Sequence, residues 1–307
     1  MHFFKAEGAG NDFIFFTEEA ASCLSYRENT PWGYHRFPVA EKPADIPHAE
    51  KETSPPVQKD GQENKETALR EWVAALCKRK TGIGADGAVF LSPCAGSGYR
   101  MEIRNADGSP AAMCGNALRC AGLLLFHLGG FFESVILTPS GERQVRLTRP
   151  PRTPEDEAFV CASLGFPCPL SFRAPPQNDG SPTFFVSVGN PHAVLPVTRE
   201  ELSSPLLAGK AAALSSAVPG GVNVEFCAQN PDGSVSVRVF ERGVGETAAC
   251  GTGAVATAFF LRESQARNTE RPYLISMPGG ILEVSFSECG EAFLSGPCRL
   301  CYEGNLL

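Results

Sequence analysis

Apolar positions along the chain recur with period two in some stretches and with helical period in others, and the switches between them mark the elements. Phe3–Phe4 and Phe13–Phe16 are strand-like runs separated by KAEGAGND, where Gly8, Gly10 and Asn11 supply hairpin turn chemistry. Residues 27–66 lose the pattern, gain prolines and charges, and read as a loop-rich insertion. Leu69, Trp72, Val73, Leu76 and Cys77 then share one face, which predicts a helix over 67–79 with Thr67 as N-cap and Gly82 after its end. GIGADG turns the chain into a strand over 88–91, and 99–104 alternates as another. A leucine-rich helix is expected over 117–128, stopped by Gly129-Gly130, with strands over 135–137 and 144–147.

The pattern then starts again. A proline-rich stretch from Arg149, holding one strand over 158–162, marks a boundary near 153–157. Strands are expected over 184–188 and 193–197, a polar helix over 204–216, and strands within 220–226 and 234–240. A helix over 252–262 matches the one over 117–128, and strands over 281–286, 292–294 and 298–302 end the chain. Asn105–Cys120, NADGSPAAMCGNALRC, aligns without a gap to Glu241–Ala256, ERGVGETAACGTGAVA. Cys114 maps to Cys250 and Phe90 to Phe226 with one offset of 136, whereas Gly10-Asn11 maps to Gly189-Asn190 with 179. The difference of 43 is about the length of the insertion. A duplicated fold with a pseudo-two-fold axis would bring both cysteine loops to the seam between domains, where ligand sites tend to lie.

Composition narrows the function classes. The 307 residues suffice for two domains, and a net charge of -7 disfavours a nucleic-acid groove, which needs a basic stripe. The opening MHFFKAEGAG lacks the basic and apolar regions of a signal peptide, and no stretch approaches the roughly 20 apolar residues of a membrane span. A cytoplasmic protein with no membrane contact is expected. Twelve cysteines in such a chain read as reduced thiols, mostly buried. The C-x-x-C of Cys298 and Cys301 has no second pair and few histidines nearby, so no metal site is expected. There is also no G-x-G-x-x-G after a strand and no P-loop, so no cofactor is implied.

Cys114 and Cys250 carry the chemistry. Each follows a polar loop, precedes a glycine and opens a helix, where unpaired backbone N–H groups gather and a thiol is expected to ionise more readily. Two such helix starts aimed at one point would bind a carboxylate. They would also stabilise the charge left when an α-hydrogen is removed from an amino acid. One cysteine as thiolate and the other as thiol, on opposite faces of a carbon, would invert it. Cys120, inside the helix, stays with the buried thiols. His192 in GNPH could be a turn residue or could tune a thiol, and Glu241 could be a solvated strand end or a ligand for an ammonium group. Asn11, Asn105, Asn190 and Asn223 each sit by a turn or motif and suit a zwitterion, with Arg242 as a carboxylate clamp.

GAGNDF, GIGADG, NADGS, MCGN-x-x-RC, GNPHAV, NVEF and FERGVGETAACGTG together resemble the diaminopimelate epimerases, over nearly the whole chain outside the insertion. The resemblance implies an α/β (α+β) fold of two pseudo-symmetric domains, each a curved β-barrel-like sheet around a central helix, with the active site in the cleft. It implies residues 1–155 as one domain, completed by a returning strand 299–307, and residues 156–298 as the other. It further implies epimerisation of LL- to meso-2,6-diaminopimelate, in lysine and peptidoglycan biosynthesis, without a cofactor. Cys114 and Cys250 would be the catalytic pair, and His192 and Glu241 would set their pKa values. Gly115, Asn116, Gly251 and Thr252 would hold the reacting carboxylate. Asn11, Asn105, Asn190, Asn223, Glu241 and Arg242 would bind the rest of the substrate, and Tyr302 would lie at a homodimer contact. Ala117 and Gly87 depart from the common pattern. A cofactor-independent racemase of another amino acid on the same fold is the alternative.

Overall fold

The computed structural model describes residues 1–18, 59–94, 98–153, 156–172, 183–265 and 271–307. Most of the insertion expected at 27–66, and part of the boundary stretch at 153–157, lie outside the described residues. Strands β1 (His2–Gly8) and β2 (Asn11–Thr17) form the expected hairpin. Ala9 and Gly10 both take positive φ, as a two-residue hairpin turn requires. The first helix, α1, is Lys59–Cys77, so Thr67 lies inside it and is no cap; the run ENKE before Thr67 consists mainly of good helix formers.

β3 (Gly87–Cys94), β4 (Gly98–Asn105) and the short β5 (Pro110–Ala111) follow, then α2 (Gly115–Gly129), β6 (Glu133–Thr138), β7 (Gly141–Arg149) and β8 (Ala158–Gly165). The remaining elements are β9 (Cys168–Pro169), β10 (Phe184–Ser187), β11 (Pro191–Pro196), α3 (Arg199–Leu202), α4 (Leu207–Ala217), β12 (Asn223–Gln229), β13 (Val235–Glu241), β14 (Gly245–Thr247), α5 (Gly251–Gln265), β15 (Tyr273–Met277), β16 (Gly280–Phe286) and β17 (Ala292–Asn305). The polar helix expected over 204–216 is therefore α4 with a separate turn before it, and Thr198 and Glu201 close a capping box on that turn. The two expected C-terminal strands are one. Gly296 and Pro297 do not interrupt β17, because it stays paired with β8 across both residues.

The strand ladders repeat. β1–β2, β2–β3, β3–β4, β4–β6 and β6–β7 pair antiparallel, parallel, antiparallel, parallel and antiparallel. β10–β11, β11–β12, β12–β13, β13–β15 and β15–β16 pair in the same sequence of senses. β7 continues to β8, β8 to β17 and β17 to β1, which closes the first ladder into a barrel. β16 also pairs with β17, and β9, just past β8, pairs with β10. β8 and β17 thus serve both ladders.

Each ladder wraps one helix. Every residue of α2 from Gly115 to Leu125 is buried, so it is a core helix and not an amphipathic surface one. Each fully buried leucine there stabilises the fold by about 1.5–3 kcal/mol. Gly130, at φ 70°, ends α2 by donating its N–H to Phe126 O. α5 is buried almost as completely, and both helices share one apolar core with β8 and β17.

Candidate active site

α2 and α5 meet end to end. A β-carbon at Gly115 would lie 3.5 Å from Gly251 Cα, and one at Gly251 would lie 3.2 Å from Gly115 Cα. Leu294 of β17 seals the junction, since its Cδ2 would be 2.9 Å and 2.8 Å from those two β-carbons. Leu164 of β8 closes the Gly115 side at 3.2 Å. The glycine after each cysteine is therefore required for the two helix starts to touch.

Hairpin turns brace both cysteine loops, and the Gly10 turn of the first half packs on the loop of the second. A β-carbon at Gly10 would sit 3.2 Å from both Ala248 Cβ and Gly279 Cα. Gly279 donates its N–H to Ala248 O at 2.8 Å, and at the repeat-related place Ser140 Oγ donates to Ala112 O at 3.1 Å. Both cysteine loops are thus held by their carbonyls from equivalent hairpins.

Cys114 is the N-cap of α2, in extended backbone, and is partly exposed. Cys250 is 6% exposed. Cys250 Sγ lies 3.4 Å from Thr252 Oγ1 and accepts the Gly253 N–H at 3.4 Å, while the Cys250 N–H reaches Met277 Sδ at 3.4 Å. Burial pushes the Cys114 thiol up to about 11, opposed by the Ala117 amide and assisted by the Glu241 carboxylate. Burial also drives the Cys250 thiol well above its ordinary value, and Glu241 and Glu225 add to it. The helix starts favour both thiolates, but desolvation and nearby carboxylates outweigh them. Glu241, as a carboxylate, acts on both sulfurs. Its own carboxyl is raised by burial and by Glu225 and Asp86, against a Thr247 hydroxyl that donates to it at 2.6 Å.

His192 is fully buried, with Nδ1 2.7 Å from Glu225 Oε1 and Nε2 2.9 Å from Asn190 Oδ1. Among the groups acting on Glu241, it opposes the rise of that carboxyl. Asn223 Oδ1 accepts the Arg242 N–H at 2.9 Å, which ties β12 to the loop after β13. Arg242 itself is exposed, and its guanidinium donates to Gly220 O at 2.7 Å, leaving further N–H groups to offer. Asn116 donates to Asn11 Oδ1 at 2.6 Å and leans on Ala249 O at 3.5 Å, so it touches both halves.

Asn105 stands apart. Its side chain donates to Ser109 Oγ at 3.0 Å, and Asn230 makes the same kind of bond to Ser234 Oγ at 2.9 Å in the similar loop NPDGS. That bond serves the turn.

Glu225 and Arg119 were not singled out in the sequence, although both are fully buried. The available signal was a charge inside a run that is otherwise apolar: Glu225 within NVEFCA, Arg119 within a leucine-rich helix. Among the described residues no cluster of three or more His, Cys, Asp or Glu could hold a metal ion, and no helix is long and apolar enough to cross a membrane.

Comparison with known proteins places this arrangement. The family model described as diaminopimelate epimerase matches residues 56–153 and 184–301. The diaminopimelate epimerase of Chlorobaculum tepidum is 35% identical over 241 residues, covering 77% of this chain and 91% of that protein. That of Xylella fastidiosa strain M23 is 32% identical over 320 residues, covering 99% and 95%. A hydroxyproline epimerase of Agrobacterium vitis shares the fold at a TM-score of 0.59 and 14% identity, covering 100% of this chain and 90% of its own. The abutting, glycine-flanked cysteine helices, the repeated barrel ladders and the sequence matches lead to one conclusion: the chain belongs to the diaminopimelate epimerase family.

Proposed function

We propose that this isomerase interconverts LL- and meso-2,6-diaminopimelate by proton transfer between Cys114 and Cys250. The observation that carries the reading is the contact of the two helix starts at Gly115 and Gly251, with one carboxylate, Glu241, acting on both neighbouring thiols. A substrate α-carboxylate held by the helix-start amides at Gly115, Asn116, Gly251 and Thr252 would bring positive dipole ends to the sulfurs it lies between. It would also exclude water there, so that the amides stabilise the negative charge developing on the α-carbon. One thiolate removes the α-hydrogen while the opposite thiol delivers a proton to the other face. The reverse direction exchanges the roles, so no external base is consumed.

The far end of the substrate falls to Asn11, Asn105, Asn190, Asn223, Glu241 and Arg242. Arg242 suits the distal carboxylate and Glu241 the distal ammonium group. His192 tunes the thiols through Glu241, whose rise in pKa it opposes. We divide the chain into residues 1–155 with 299–307, and residues 156–298; pairing of Arg299–Asn305 with β1 supports this. We also infer a cytoplasmic homodimer. Tyr302, 50% exposed with its ring edge-on to Phe3 at 6.2 Å, would lie in the interface.

The test is α-proton exchange from deuterated water into LL-diaminopimelate, set beside proline, hydroxyproline and glutamate. Exchange with diaminopimelate, lost in Cys114→Ala and in Cys250→Ala, is expected. Exchange with another amino acid and none with diaminopimelate would move the protein to the alternative racemase reading.

A further inference from the structure

Arg119 heads the largest fully buried side chains among the described residues, and the reaction outlined above gives it no task. It lies one helical turn past Asn116, between β1 and β17. Glycines make its space: a β-carbon at Gly296 would sit 3.3 Å from the guanidinium carbon, and one at Gly8 would sit 3.5 Å from its NH2. A buried cation is expensive, and its Nε and NH2 find no hydrogen-bond partner among the described residues. An apolar side chain of that length would fill the same space without the expense.

To oxygen, Arg119 makes one bond among the described residues, from NH1 to Asn116 Oδ1 at 2.9 Å, and its charge also bears on the buried Cys298 thiol. A guanidinium only donates, so Asn116 must present its oxygen there and its NH2 elsewhere. That NH2 donates to Asn11 Oδ1 at 2.6 Å, and the Asn11 NH2 in turn donates to Asp86 Oδ2 at 3.2 Å. Asp86, as a carboxylate, only accepts. The chain begins at a pure donor and ends at an acceptor, so both amides have one permitted orientation. Asn116 also lies against the second cysteine loop, at Ala249 O and beside the β-carbon position of Gly251.

We infer that Arg119 is a positioning residue of the two-cysteine site: it locks the Asn116 and Asn11 amides in one direction and keeps a fixed positive charge behind the first helix start. The inference rests on the proton-transfer reading above. Arg119 is also among the groups that favour the Cys114 thiolate, behind burial and the opposing Glu241 carboxylate.

Arg119→Met and Arg119→Lys separate the charge from the fork. Steady-state kcat and KM are measured with whichever amino acid the wild type exchanges. The pH midpoint of iodoacetamide alkylation is read separately at Cys114 and Cys250. Arg119→Met should raise KM tenfold or more and move the Cys114 midpoint upward while the Cys250 midpoint stays in place. Arg119→Lys should restore the Cys114 midpoint and leave KM raised. A folded Arg119→Met with wild-type KM, or two midpoints moving together, overturns the inference. If only Arg119→Lys folds, wild-type KM in it does the same; if neither folds, Arg119 is structural and the inference fails. Wild-type protein that exchanges no diaminopimelate would sink the substrate reading alone, because the alkylation comparison needs no substrate.

Discussion

Gly251→Ala tests whether the two helix starts must touch. The added β-carbon would lie 2.8 Å from Leu294 Cδ2, 3.2 Å from Gly115 Cα and 3.4 Å from Asn116 Oδ1. Carbon atoms favour separations of about 3.5–4.0 Å, so the Leu294 contact is about 0.7 Å short. Leu294 is fully buried, and Gly115 cannot recede without taking α2 with it. Overpacking of this kind costs about 1–3 kcal/mol, while alanine in place of glycine returns up to about 1 kcal/mol of helix propensity. The net loss of stability should be about 0–2 kcal/mol, read as a shift of the urea midpoint. The loss of rate should be larger than that suggests. A displacement of about 1 Å in a reacting site can cost roughly 100-fold, so a shift of several tenths of an ångström predicts a fall in kcat/KM of about 10- to 100-fold. Shortening the obstructing side chain in the same protein, as Gly251→Ala with Leu294→Val, should recover part of both losses, with a coupling of about 0.5 kcal/mol or more. Wild-type exchange by Gly251→Ala, or strictly additive effects with Leu294→Val, would refute the contact as the reason for the glycine.

Two further outcomes follow from the electrostatics. Glu241 raises both the Cys114 and the Cys250 thiol, so Glu241→Gln should move their alkylation midpoints to lower pH together; a shift at one sulfur alone would contradict a carboxylate that acts on both. Asp12 is raised by burial, but hydrogen bonds and charge from Arg79 and Lys5 win and hold its carboxyl down at about 2. Its folded pKa is thus below its unfolded value of about 3.9, so its contribution is present above about pH 4 and lost as pH falls toward 2. Asp12→Asn should lower the melting temperature at pH 6 and narrow its gap to wild type as the pH approaches 2; a gap independent of pH would contradict this.

Much of the architecture could be read without coordinates because periodicity and turn chemistry are local. The β1–β2 hairpin, both core helices, and the gap-free alignment of the two cysteine loops all follow from neighbours within a few residues. The strand Tyr273–Met277 escaped the reading because it is short and lies just past Arg271-Pro272, where the apolar pattern had not settled. Thr67 misled because a residue suited to a cap also occurs within helices, and only the residues before it show that the helix has already begun.

By itself the sequence determined that two similar halves each carry a cysteine, then a glycine, at the start of a buried helix, and that the second half alone adds Glu241-Arg242. The tertiary structure decided that the two helix starts touch, because β8 and β17 belong to both ladders and bring Leu164 and Leu294 against the junction. It also decided the thiols' acidity, which depends on desolvation and on a carboxylate that acts on both rather than on position along a helix. The same holds for Arg119 and Glu225. Charged residues are usually exposed, and only closure of the barrels around them makes one a fixed cation behind the helix start and the other the partner of His192.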